Sequence, residues 1–152
     1  MTTIYDELRA SHATQRSLCN RLVRTQARNV TKRQQLFREL RIELAAHAAA
    51  EERYLYVPVL MHDMGLNSAR HALLEHHEMD ELVEDLRKLD PAGDAWGEKA
   101  RQLAHEVRHH LEEEETKFFQ VSGKLLTDAR KIKLASQYRS DFDRMKQVAA
   151  RD

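Results

Sequence analysis

Cysteine is almost missing from this chain, since Cys19 is the only one among 152 residues. No intrachain disulfide can form, and such sparing use predicts a reducing compartment. Glycine and proline are also scarce, with four and two copies. That leaves little turn chemistry for strands and favours long helices. Net charge is absent as well, with 25 Lys and Arg balancing 25 Asp and Glu. No electrostatic footprint for nucleic acid or an anionic membrane results, so neither is an expected partner. The longest apolar stretch, Tyr54 to Met61, is interrupted by Pro58 and falls well short of the roughly 20 residues a membrane span needs. The first residues, Met1 to Glu7, offer neither the basic nor the apolar region of a signal peptide. These absences together predict a soluble cytoplasmic protein. Without a long exposed apolar run, a monomer or weak dimer is expected.

Histidine is what the chain has in excess, with nine copies. Their spacing is doubled. His12 precedes the pair His47-x-x-x-Glu51, and His76 precedes His110-x-x-x-Glu114, the second set following the first by 63 to 64 positions. Leu22 and Leu86 each lie ten positions after the lone histidine, and Glu52 and Glu115 follow the paired glutamates. An aromatic pair comes next in both copies, Tyr54 and Tyr56 in one, Phe118 and Phe119 in the other.

Apolar periodicity predicts an all-α chain. The expected architecture is an up-down-up-down four-helix bundle with an additional C-terminal helix, because the connections between the main helices are short. The length sets a prior of one domain over residues 1–152, with the bundle at about 3–121 and the last helix at about 124–149. Thr31-Lys32-Arg33-Gln34 reads as a capping box opening the second helix. The inward stripe of that helix is Leu40, Leu44, His47, Glu51 and Tyr54, and Pro58 is expected to break it. Asn67 or Ser68 is the expected N-cap of the third helix, and Asp90-Pro91-Ala92-Gly93-Asp94 separates it from the fourth. The final segment is expected to pack across the bundle.

The phase of each stripe selects among the histidines. His76 continues the row of Leu73, Met79 and Val83, whereas His77 shares a face with Arg70, Asp80 and Glu84. His110 and Glu114 continue Leu103, Val107 and Phe118, while His109 falls with Gln102, His105 and Thr116. Periodicity and repeat therefore choose the same residues.

Residues four apart on a helix stand one above the other, with about 5–6 Å between Cβ atoms. A His-x-x-x-Glu pair thus aims an imidazole and a carboxylate at one small volume. Two such pairs and two lone histidines give four nitrogens and two carboxylates at the bundle centre. Imidazole with carboxylate suits iron, manganese or zinc rather than calcium. Six ligands are generous for one zinc, whose structural sites usually take four. Two irons fit better, each with two histidines and both carboxylates bridging. Two bland readings stand beside this one. The groups could form a His–Glu ion-pair network without metal, and the chain could be a metal-free helical interaction protein.

At these residues the chain resembles the hemerythrin-like HHE cation-binding family, over roughly Ile4 to Phe119. The resemblance rests on the doubled H…HxxxE order and on the aromatic–Pro run Tyr54-Leu55-Tyr56-Val57-Pro58. It implies a non-haem di-iron centre, oxo- or hydroxo-bridged, bound by His12, His47, Glu51, His76, His110 and Glu114, with Glu51 and Glu114 bridging. It also implies a small diatomic or peroxide ligand (dioxygen, nitric oxide or hydrogen peroxide), or a role in iron storage, iron sensing or repair of iron centres. Oxygen-carrying members have a further histidine four positions from the first on the third helix. Those positions are Ala72 and Asp80 here, so reversible oxygen carriage is not implied. Asp80 is expected in a surface or flanking ion pair.

Other motifs compete for attention. His105-Glu106-Val107-Arg108-His109 matches the HExxH of zinc proteases, but both histidines fall on a polar flank and no downstream helix offers a third ligand. A zinc protease is not expected. Cys19, seven residues after His12 on the same face, reads as a small core hydrophobe rather than a reactive thiol. Tyr54 is either a hydrogen-bond donor to the site or core filling. Within the Glu112–Glu115 run only Glu114 is needed as a ligand, and Glu115 is left undecided.

Overall fold

The computed structural model describes residues 1–152 and is all-helical. Helix α1 spans Ile4–Val23. Helix α2 runs as an α-helix over Val30–Glu51, passes through a π-helical turn at Glu52–Tyr56, and ends as Val57–Leu60. After a 3₁₀ turn at Asp63–Gly65 comes α3, Leu66–Lys88. Helix α4 has the same composite build as α2: Asp94–Glu113, a π turn at Glu114–Phe118, and Phe119–Leu125. Helix α5 is Asp128–Ala150. The first four make the bundle, and α5 lies against α1 and α2 rather than across all four.

Helix ends are set by local chemistry, not always where the sequence pointed. Thr3 caps α1 in a reciprocal box: its hydroxyl accepts from the Asp6 N–H at 3.4 Å, and the Asp6 carboxylate accepts from the Thr3 N–H at 2.8 Å. The box expected at Thr31–Gln34 does not form, because α2 has already begun at Val30 behind Asn29. Arg33 from that segment is instead buried. It donates to Thr25 Oγ1 and to the Pro91 carbonyl, and its guanidinium covers Trp96 at 4.8 Å, tying two interhelical loops together. Helix α3 begins at Leu66 with Gly65 in the cap position, so neither Asn67 nor Ser68 serves. Gly65 is required there, since a Cβ would stand 2.6 Å from the Val59 carbonyl oxygen. The last helix starts at Asp128, later than the expected 124, because Leu126 is extended and Thr127 caps the new helix by accepting from the Arg130 N–H.

Pro58 does not break α2. The helix continues past it to Leu60, with the π turn just upstream. A proline lacks the N–H and crowds the carbonyl four residues back, and a widened turn accommodates both. Proline is not the general cause, however, since the π turn of α4 contains none. The two turns share a position, each coming where a His-x-x-x-Glu pair ends.

Core packing leaves a gap for the site. One apolar cluster gathers Ile4, Leu8, Leu55, Tyr56, Phe118, Phe119 and the inner face of α5. That is the lower cluster; an upper one gathers Leu22, Leu36, Leu40, Leu86, Trp96, Leu103 and Val107 at the other end. Between them the chain buries His12, Gln15, Glu43, His47, Glu51, Glu75, His76, His110 and Glu114. A belt of polar groups that deep must be paired or must hold a charge. No helix is long and apolar enough to cross a membrane.

Candidate metal centre

Each bundle helix sends its predicted residues into that belt. All six are buried, from 0% exposure for His12 and Glu51 to 6% for His76. His77, by contrast, is exposed and pairs only with Glu81. Ligand-type atoms fall into two groups of four: His12, His47, Glu51 and Glu114, and Glu51, His76, His110 and Glu114, each lying within 4.8 Å of one another. The two glutamates belong to both groups. His47 and His76 point Nε2 at the same Glu51 oxygen, each at 3.2 Å. His12 approaches Glu114 Oε1 at 3.2 Å and His110 approaches Glu114 Oε2 at 3.4 Å.

The outward ring nitrogens are all held. Nδ1 of His12 meets Glu115 at 3.2 Å, that of His76 meets Glu52 at 2.9 Å, that of His110 meets Glu75 at 2.9 Å, and that of His47 meets the Tyr138 hydroxyl at 2.9 Å. A carboxylate only accepts, so three of these Nδ1 atoms must be donors, which leaves the Nε2 lone pair directed inward. Inward atoms lack partners: His12 Nε2, His47 Nε2, both Glu51 oxygens and Glu114 Oε1 make no hydrogen bond. Buried polar atoms without partners are costly. A cation at the shared focus would satisfy them, and the donor set of imidazoles and carboxylates fits a transition metal.

Charge supports the same fit. Two inner and three outer carboxylates surround the belt, and Arg16 reaches only Glu115 among them, at 2.7 Å. Without a metal the imidazoles must supply the positive charge. Burial opposes this at His76, but the neighbouring carboxylates of Glu51 and of Glu52, which accepts from Nδ1, hold its pKa up to about 9. Burial likewise opposes it at His110, where the Glu114 charge and Glu75 raise the pKa to about 10. At Glu51, burial is outweighed by His47 and His76, which keep the carboxyl well below its usual range. Protons and a metal cation therefore compete for the same Nε2 atoms.

Several partners at the site were not legible in advance. Tyr56, not Tyr54, reaches it: the π turn widens the helix by one residue, so the side chain five beyond Glu51 comes inward. Its hydroxyl bonds Glu114 Oε2 and lies 3.2 Å from His76 Nε2 and 3.5 Å from His110 Nε2. Tyr54 is only partly buried against the lower cluster. Phe119 holds the matching place five beyond Glu114 and stacks on His12 at 5.9 Å. Glu115 proves to be the partner of His12, and Glu52 that of His76, so each repeat anchors the lone histidine of the other. Their doubling in the sequence was the available signal. Nothing in the repeat marks Glu75 or Tyr138. Asp80 is exposed and in neither group of four. Cys19 is fully buried in the upper cluster, and burial pushes its thiol up to about 11. The HExxH segment keeps His105 and His109 exposed on α4, and neither belongs to a group of converging ligand atoms.

Comparison with known proteins bears on the family and the fold. A DNA nickase of Nostoc is 27% identical over 144 residues, which is 95% of this chain but 40% of the length of that protein. A crystal structure of a hemerythrin HHE cation binding domain-containing protein from Mycobacterium kansasii superposes with a TM-score of 0.86. It covers 97% of this chain and 90% of that one at 19% identity, and so shares the fold. The family model for the hemerythrin HHE cation binding domain matches residues 3–121, and the chain belongs to that family.

Proposed function

We propose that the chain binds two iron ions between α1, α2, α3 and α4 and uses them to bind or turn over a small diatomic or peroxidic ligand. The observation that carries this reading is the pair of four-residue groups sharing Glu51 and Glu114, with their inward atoms unpartnered. His12 and His47 would hold one metal and His76 and His110 the other, with Glu51 and Glu114 available to both. Six donors divided this way suit two metals better than one zinc. Iron would supply redox chemistry between diferrous and diferric states.

The protein's own groups do the rest. Glu52, Glu75, Glu115 and Tyr138 fix the imidazole rings and, in the case of the carboxylates, raise their basicity. Phe119 covers the His12 side with an apolar ring. Tyr56 places a hydroxyl beside the His76–His110 side, where it can donate a hydrogen bond. A narrow cleft of about 20 Å³ reaches His47, His76 and His110 past Gln15, Met79 and Asp80. That is close to the room one water requires, about 10–15 Å³, so this cleft suits a ligand as small as a diatomic or peroxide.

The test combines metal analysis with spectroscopy. Protein prepared with iron should hold two per chain, and Glu114→Ala should lose most of it. Nitric oxide or hydrogen peroxide added anaerobically to the diferrous protein should change its absorption spectrum. A protein with two irons that responds to neither would be a store or sensor without an accessible ligand site. A protein of unchanged thermal stability after iron addition would contradict metal binding altogether, since ligands assembled only in the native state couple binding to folding.

A further inference from the structure

A second, exposed set of His-x-x-x-Glu pairs lies just outside the buried belt. His71 and Glu75 stand one turn apart on α3, and His109 and Glu113 one turn apart on α4. The two pairs face each other. His71 Nε2 lies 3.3 Å from Glu113 and 3.6 Å from Glu75, while His109 Nε2 lies 3.2 Å from Glu113 and 3.7 Å from Glu75. Both imidazoles are over half exposed, and the carboxylates are mostly covered. No lysine or arginine pairs with Glu75 or Glu113, so only the histidines oppose two closely held negative charges.

We propose that His71, Glu75, His109 and Glu113 bind one divalent transition-metal cation and pass it to the buried centre. His71, Glu75 and Glu113 bring donor atoms within 4.8 Å of one another, and the His109 imidazole, 3.2 Å from Glu113, adds a fourth donor at the edge of that group. Imidazole and carboxylate are donors that zinc or ferrous iron accepts. A separate observation ties this set to the interior. A pocket of about 250 Å³ is lined at its outer part by His71, Glu75 and Glu113 and deeper by His110 and Glu114, with Lys117 on its wall. Glu114 is 3% exposed, and its Oε2 lies 3.4 Å from His110 Nε2, so a carboxylate of the buried centre lies at the inner end. Glu75 belongs to both places: Oε1 accepts from His110 Nδ1 at 2.9 Å, while Oε2 faces His71 and His109. A cation held outside is therefore one side chain away from a histidine of the buried belt. The binding step stands on this surface geometry alone, whereas the transfer step rests on the di-iron reading above.

The test uses the full chain, its iron-treated form, and the double variant His71→Ala/His109→Ala, whose exposed positions leave the core intact. Iron content is measured first and reports on the buried centre. Zn²⁺ is then titrated calorimetrically into both proteins, with retained iron measured again afterwards. The wild type should take up one more Zn²⁺ per chain than the double variant, whether or not the buried centre holds iron. Equal uptake would overturn the outer site. For transfer, stopped-flow uptake of Fe²⁺ by the metal-free proteins should be slowed about tenfold in the double variant, the scale on which a charged funnel raises on-rates, with the same final iron content. Equal uptake rates would overturn the loading role, and the iron content itself separates that result from failure of the di-iron reading.

Discussion

Tyr138, on the helix outside the four-helix bundle, holds its hydroxyl 2.9 Å from Nδ1 of His47. This contact breaks the internal two-fold relation of the site. His110 is held by Glu75, which directly precedes His76, but the residue directly preceding His12 is Ser11, which bonds Glu43 instead. The phenol of α5 fills the role that a short serine side chain does not. Tyr138 also lies beyond the residues 3–121 that match the family model, so the fifth helix contributes to the site and not only to packing.

Tyr138→Phe keeps the ring and removes only the hydroxyl. Outer partners of metal-bound histidines are typically worth about 10- to 100-fold in metal affinity. The variant should fold normally and yield its metal to a competing chelator at correspondingly lower chelator concentration. Metal retention equal to wild type would show that α5 only packs against the bundle.

Tyr56 and Phe119 sit at matching positions, five beyond Glu51 and Glu114, yet only one carries a hydroxyl. In the metal-free protein, burial and the Glu114 and Glu51 charges hold the Tyr56 phenol well above its usual pKa, so it stays protonated and donates to Glu114. Its oxygen also stands among the donors of the His76–His110 group, where a bound ferric ion would displace the proton as metals do from coordinating side chains. Ferric-loaded protein should therefore show a visible phenolate-to-iron absorption that Tyr56→Phe abolishes. An identical spectrum in the variant would confine Tyr56 to hydrogen bonding.

Much of this site was legible because helical spacing is rigid. His12, His47, Glu51, His76, His110 and Glu114 share one phase with the apolar stripes, so any regular helix bundle carries them into one layer. The π turns limited that logic, because a widened turn shifts the phase downstream and no local residue pattern announced it. Tyr56 was missed for that reason, and of the two roles left open for Tyr54 the structure shows packing against the core. Glu75 and Tyr138 depend on which helices become neighbours, information that a repeat within the sequence does not contain. Helix ends failed differently: Thr31 and Ser68 have capping side chains, but Asn29 and Gly65 had already started those helices.

Cys19 offers a direct check on the packing of the upper cluster. Burial pushes its thiol up to about 11, with Arg108 lowering it only in part, and the thiolate is the reactive form. Alkylation by iodoacetamide near neutral pH should be negligible in the native protein and stoichiometric in denaturant. Fast labelling of the native protein would mean that the end of the bundle around Leu22, Trp96 and Leu103 opens readily.

Stability of the metal-free protein should depend on pH with a definite sign. His76 and His110 are held up to about 9 and about 10, above the ordinary 6.5. A raised histidine contributes stability that is fully present below its unfolded value and is lost as pH rises through its folded value. That contribution should therefore decline from pH 6.5 to about 10 as both imidazolium–carboxylate pairs lose their protons. Glu51 acts in the opposite direction, its lowered pKa giving stability that is lost only when acid protonates it. In the metal-loaded protein the Nε2 atoms are no longer free to titrate, so the alkaline decline should vanish. Acid should then become the weak side, as protons displace the cation. Thermal midpoints of both forms across this range test the assignment. A metal-free protein that gains stability between pH 6.5 and 10 would mean that His76 and His110 are not held in their charged forms by the buried glutamates.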